Sequence, residues 1–271
     1  MLGVGKAAPA QFSAAAGGVF RRSCPERGRG RRCPLEGRQR REGARSVGEG
    51  GRRGTAAFLA VQAVLYVLFL SMDLLEAGGW SDPVKFLSIL LCLGFCLFWA
   101  GRGGDRLVAA AMVFTAAADL LLLLLDRWYG AGVALFCVVQ GLYLARIRRM
   151  TGRGLWLPLR AGLSLLLWMA LVRLGLFTLL NALAAFYFAN FLCNAAAALG
   201  APGRRGRLFA LGLWLFLCCD VCVGLRNSGL PLGTADAVQL GMWFFYLPGQ
   251  VLIALSALPD PGLRGVCHET K

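Results

Sequence analysis

The chain has 271 residues, is 58% hydrophobic, carries a formal net charge of +15 and has a mean hydropathy of +0.62. So much apolar surface does not suit a soluble domain, and the charge does not mark a nucleic-acid-binding one, because it is concentrated at one end. Residues 1–54 hold thirteen of the 29 Lys and Arg but only four of the 14 Asp and Glu.

That first stretch, typified by Arg27 to Arg41 (RGRGRRCPLEGRQRR), is rich in Gly, Arg and Ala and has neither helical nor strand period. It cannot bury enough apolar surface to offset its ordering entropy, so residues 1–54 are expected to be a disordered basic tail. The tail is either a solvated segment or an upstream extension from a misplaced start codon, and no specific nucleic-acid partner is expected.

From Thr55 the sequence falls into apolar segments at about 56–76, 84–100, 106–125, 129–148, 155–172, 174–199, 207–225 and 237–257. The predicted fold is all-α: an eight-span transmembrane helix bundle over residues 55–258, with a short tail at 259–271. Gly-bearing turns follow the first, second, fourth, sixth and seventh segments, and at Arg173 to Gly175 there is hardly a turn. Cytoplasmic loops are enriched in Lys and Arg. Eight spans with the N-terminus and C-terminus both cytoplasmic leave only Lys85, Arg127, Arg173 and Arg226 of the 29 on the other side.

Two segments carry a carboxylate well inside an apolar run: Asp119 in the third and Asp220 in the seventh. Ionisable groups in hydrocarbon are costly and are retained mainly where they face a polar cavity and work. Each lies thirteen residues after the basic residue that opens its run, Arg106 or Arg207. At 1.5 Å per residue both are about 20 Å from the Arg-marked surface of a core about 30 Å thick, in the outer third of the bilayer. They are expected to share one pocket, where close carboxylates resist simultaneous ionisation and form an acid–base pair.

The third and fourth segments and the seventh and eighth also suggest a four-plus-four repeat. An aromatic residue precedes a Gln by four in each second member: Phe136 and Gln140, then Tyr246 and Gln250. Tyr187, Asn190 and Asn194 form a stripe on the sixth segment, Gln140 and Tyr143 another on the fourth. These side chains either line the pocket or bond helix to helix. Lys85, at the outer end of the second segment, either offers a counter-charge to the Asp pair or snorkels to the interface.

The only histidine is His268, outside the segments, so Ser-His-Asp, Cys-His and His-based zinc centres are not expected. Seven of the ten cysteines, including Cys218, Cys219 and Cys222 around Asp220, lie in the segments, where a thiol is usually a packing residue. No metal or cofactor is expected.

The order of these stretches resembles the YhhN family of eight-span membrane proteins, which includes the lysoplasmalogenases. The resemblance runs over roughly Asp82 to Leu258. It rests on FTAAADLLLLLL (Phe114 to Leu125), GVALFCVVQGLYLARIRRM (Gly132 to Met150), LGLWLFLCCDVCVG (Leu211 to Gly224), FYLPGQVLIALS (Phe245 to Ser256) and Lys85. Gln140 departs from the family, which often has His three residues before the Tyr of the fourth span. A Gln positions a group by hydrogen bonds but carries no proton.

The resemblance implies hydrolysis of the vinyl ether bond of a lysoplasmalogen drawn from the bilayer, with Asp119 and Asp220 as catalytic groups. Lys85, Gln140, Tyr143, Tyr187, Asn190, Asn194, Tyr246 and Gln250 would then bind substrate or water. Two other readings remain: a carrier or flippase of small amphiphiles with the Asp pair as proton relay, and a non-catalytic family member.

Overall fold

In the computed structural model, residues 34–75, 80–152, 156–227 and 235–259 are described. The chain divides into Met1–Gly51 and Arg52–Lys271. Of the first unit, helical backbone from Pro34 onward is described, within the stretch expected to lack periodic structure; residues 1–33 lie outside the described residues. All that follows concerns the second unit.

The described residues form eight helices and no strand: α1 (Pro34–Leu74), α2 (Ser81–Ala100), α3 (Arg106–Asp119), α4 (Tyr129–Thr151), α5 (Leu157–Arg173), α6 (Leu179–Ala198), α7 (Gly203–Asn227) and α8 (Ala235–Leu255). Seven contain or continue into stretches long and apolar enough to cross a membrane, the first of them Gly51–Leu74; that of α3 runs on through a π turn to Leu124. The exception is α5, whose 17 residues reach only about 25 Å, short of a hydrocarbon core of about 30 Å. The sequence predicts eight crossings, and among the described residues seven helices have the length and composition for one.

The turn between α5 and α6 is longer than expected. Gly175 adopts the left-handed conformation (φ 68°) just past the end of α5, as glycine commonly does there. Thr178 then caps α6, its side chain accepting from the Asn181 N–H at 3.1 Å. The sixth helix therefore starts at Leu179 and not at residue 174.

Six helices pack in a closed order, α2–α3–α4–α6–α7–α8 and back to α2. Helix α5 packs on α6, and α1 lies outside α2 and α8, touching them through Phe58, Gln62, Tyr66 and Phe69. Helix α5 is inverted relative to a water-soluble helix. Its buried residues are Arg160 and Ser164, while Leu159, Leu165, Leu166, Met169 and Val172 are exposed. That polarity fits a hydrocarbon surround.

Pro248 interrupts α8 and supplies no N–H, which leaves the Phe244 carbonyl without its helical donor. The Tyr66 hydroxyl donates to that oxygen at 3.1 Å from α1. In lipid such a replacement is needed, because no water can take the place of the missing donor.

Helices α7 and α8 approach most closely at Gly212 and Gly249. A Cβ added at Gly212 would lie 2.8 Å from the Gly249 carbonyl oxygen and 2.8 Å from Ile253 Cγ1. Small residues at crossings let backbones meet where no hydrophobic effect drives association. Gly212→Ala is expected to force the helices apart and cost about 1–3 kcal/mol. Gly94→Ala, with nothing within 4 Å of the added carbon, should leave the melting temperature in detergent unchanged. Equal melting of the two variants would refute the close-approach account.

Candidate active site

Both aspartates face inward and each accepts a hydrogen bond from a tyrosine on another helix. Tyr246 Oη on α8 donates to Asp119 Oδ2 on α3 at 2.6 Å, and Tyr187 Oη on α6 donates to Asp220 Oδ2 on α7 at 2.5 Å. Asp119, Tyr246 and Tyr187 are buried, and Asp220 is partly exposed.

A chain of aromatic contacts links the two tyrosines. Phe216 lies one turn before Asp220 on α7, with its ring 5.2 Å from Tyr246, 4.9 Å from Phe191 and 5.7 Å from Phe136. Phe136 and Phe191 in turn pack on Tyr187, at 5.9 and 5.7 Å. Phe136 is the position matched with Tyr246 in the proposed repeat, and it has no hydroxyl to offer. The hydroxyl at the second aspartate comes from Tyr187 on α6.

The backbone is also unusual beside Asp119. Leu120–Leu124 form one π turn, in which the Leu125 N–H bonds the Leu120 carbonyl at 3.0 Å. Such turns recur at functional sites, where they re-aim neighbouring side chains.

One turn from the Asp–Tyr layer lies a second polar layer. Thr115 is four residues before Asp119, Gln250 four after Tyr246, and Gln140 four after Phe136. Thr115 Oγ1, both polar atoms of the Gln250 amide, Gln140 Nε2 and the Tyr143 hydroxyl are buried with no hydrogen bond of good geometry among the described residues. The Thr115 and Tyr143 hydroxyls are neighbours, and the Gln140 amide neighbours the Tyr187 hydroxyl. Buried polar atoms are rarely left so in a closed core. Gln140 is tied to Asn194, whose Nδ2 donates to the Gln140 carbonyl at 2.9 Å and to Oε1 at 2.8 Å. The stripes on the fourth and sixth segments therefore do meet.

Several contacts have no counterpart in the sequence reading. Lys85 is buried and pairs with Asp73 at 3.0 Å and Asp82 at 3.2 Å, while its Nζ lies 4.9 Å from the Trp243 ring. Trp243 packs edge-on against Tyr246 at 5.4 Å, so Lys85 reaches the Asp119 pair only through that ring. Arg146 and Arg160 fall by sequence among the charges of a cytoplasmic loop, yet both are buried; Arg148 and Arg149 are exposed. Arg146 donates from Nε to Asp105 at 2.7 Å and through its two terminal nitrogens to Ser256 Oγ and O, each at 2.7 Å. Arg160 donates to the Asn190 carbonyl at 3.1 Å and to Asn194 Oδ1 at 2.8 Å. The available sequence signal is an Arg inside an apolar stretch, the same signal that singles out the aspartates.

The YhhN family model matches residues 80–257, from just before α2 to just after α8. The chain belongs to the YhhN family. No curated protein and no solved structure matches it. The YhhN match takes in both Asp–Tyr pairs, Lys85 and the second polar layer, and excludes α1. Among the described residues no group of three or more His, Cys, Asp and Glu could hold a metal ion. His268 lies outside the described residues.

Proposed function

We propose that the chain is an integral-membrane hydrolase of the vinyl ether bond of lysoplasmalogen-type lipids. The observation that carries this reading is the two aspartates, each held by a tyrosine from another helix. A vinyl ether is cleaved by protonating its alkene carbon, which makes an oxocarbenium ion; water adds to the carbon next to oxygen, and the hemiacetal collapses to an aldehyde and an alcohol. The protonated member of the Asp pair delivers the proton, and the ionised member stabilises the cation and takes a proton from the attacking water. The buried amide and hydroxyl atoms of Thr115, Gln140, Tyr143 and Gln250 supply donors and acceptors for that water and for the glycerol. Release of fatty aldehyde from lysoplasmalogen by the purified protein in detergent tests the reading, and a carrier would instead show counterflow in vesicles with no product.

The same proposal counts α5 as a short eighth crossing, which puts both ends of the chain on the cytoplasmic side. Single cysteines at Arg127, Arg149 and Phe177, in a protein with Cys24, Cys33, Cys218 and Cys267 replaced, test this with a membrane-impermeant maleimide. Phe177→Cys is expected to label from the same side as Arg127→Cys. Labelling together with Arg149→Cys would mean that α5 does not cross.

A further inference from the structure

Thr115 on α3, Tyr143 on α4 and Gln250 on α8 are each 0% exposed. Their two hydroxyls and both polar atoms of the Gln250 amide make no hydrogen bond of good geometry among the described residues. The Thr115 and Tyr143 hydroxyls are neighbours, so one can serve the other, but the amide still calls for both a donor and an acceptor. Buried groups of this kind are almost always bonded to protein or to ordered water.

Helix direction puts Thr115 and Gln250 at one level. The Asp105 N–H at the start of α3 bonds the Ala257 carbonyl just past the end of α8 at 2.9 Å, so the two helices run in opposite directions. Thr115 stands four residues before Asp119, and Gln250 four after Tyr246. Both therefore lie about 6 Å from the Asp119–Tyr246 hydrogen bond, on the side of Asp105.

The chemistry of these atoms selects the ligand. Gln250 Nε2 donates, Gln250 Oε1 accepts, and the hydroxyls do both. A cation would suit the oxygens and be repelled by the amide N–H groups, and an anion would do the reverse beside a carboxylate. Water donates and accepts at once, and a buried water makes about three hydrogen bonds, which side chains from three helices can supply.

We infer that Thr115, Tyr143 and Gln250 hold a resident water cluster one helical turn from Asp119, present with or without lipid, from which the water of hydrolysis is drawn. The site stands on its own; its role as a supply rests on the hydrolase reading. One water is used per vinyl ether cleaved. Its oxygen bonds the carbon next to the ether oxygen and leaves in the aldehyde. One of its hydrogens restores the proton spent on the alkene carbon, and the other leaves on the released alcohol.

X-ray radiolytic labelling of the full-length protein in nanodiscs tests this without substrate, because radicals made from a held water oxidise the side chain beside it and mass spectrometry reads the product. Tyr143 is expected to be oxidised, and the equally buried Phe69 is not. In the double variant Thr115→Val, Gln250→Met, with side chains of similar size and no hydrogen to donate, the Tyr143 label should be lost and aldehyde release should fall by about tenfold, the effect of one lost hydrogen bond. A wild-type Tyr143 as unreactive as Phe69, or a label kept intact in the double variant, would overturn the assignment. So would a raised melting temperature in the double variant, since a dry core gains when lone polar atoms become apolar. Should that variant fail to fold, the wild-type comparison decides. A melting temperature that rises when sodium or potassium replaces N-methylglucamine at equal ionic strength would assign the layer to a cation and overturn the water assignment. A labelled Tyr143 in a wild-type protein that releases no aldehyde would overturn the hydrolase reading and leave the water site standing.

Discussion

Asp119→Asn and Asp220→Asn are each expected to lower aldehyde release by about a thousandfold, the middle of the range for a lost general acid or base. Asn preserves size, and its side-chain oxygen can still accept from Tyr246 at position 119 and from Tyr187 at position 220, so the helices should stay packed. The substitution thus removes the ionisable proton and little else. Unchanged melting temperature with lost turnover is the expected pattern for both variants. Full turnover in either would exclude the acid–base scheme even if the protein proved to be a hydrolase, and loss of folding in both would mean that the carboxylates hold helices together. Tyr187→Phe and Tyr246→Phe should have smaller effects, because each leaves its aspartate in place and removes only a hydrogen bond.

Arg146→Met is expected to be the most destabilising single substitution outside the site, costing about 3 kcal/mol, the lower end for a broken buried ion pair because Asp105 remains one-quarter exposed. Asp105 has two tasks: its Oδ1 caps α3 by accepting from the Leu107 N–H at 3.0 Å, and its Oδ2 takes Arg146. The guanidinium also covers the Phe209 ring at 4.2 Å and bonds Ser256 at the end of α8. One side chain therefore ties α4 to α3, α7 and α8. Thermal unfolding in detergent should fall by several degrees for Arg146→Met, and adding Asp105→Asn should recover part of the loss, since the cap survives while the unpaired charge is gone. A double variant no more stable than the single one would show that the charge pairing is not the source.

The helices are legible in the sequence because each is an apolar run closed by Gly or a basic cluster, and a run in lipid has to be helical to satisfy its own backbone. Asp119 and Asp220 are legible for the converse reason, as charges in places where charges are costly. Their tyrosine partners are harder to assign. Tyr187 and Asp220 are 33 residues apart and Tyr246 and Asp119 are 127 apart, so only the order of packing decides which hydroxyl reaches which carboxylate. Arg146 and Arg160 read as loop charges because a basic residue near a span end has the same sequence signature whether it turns outward or inward. The π turn after Asp119 leaves no trace in a run of leucines, whose side chains suit an α-helix equally well.

The short α5 has a mechanical consequence for the surrounding lipid. If it crosses as proposed, about 25 Å of helix meets a hydrocarbon layer about 30 Å thick, and the leaflet beside it has to dimple to avoid exposing apolar chains to water. Headgroups next to Arg160 would then ride several ångströms deeper than elsewhere around the bundle. Hydrophobic mismatch would thereby lower the barrier for a single-chain lipid to leave the leaflet sideways, and thicker bilayers would slow its entry.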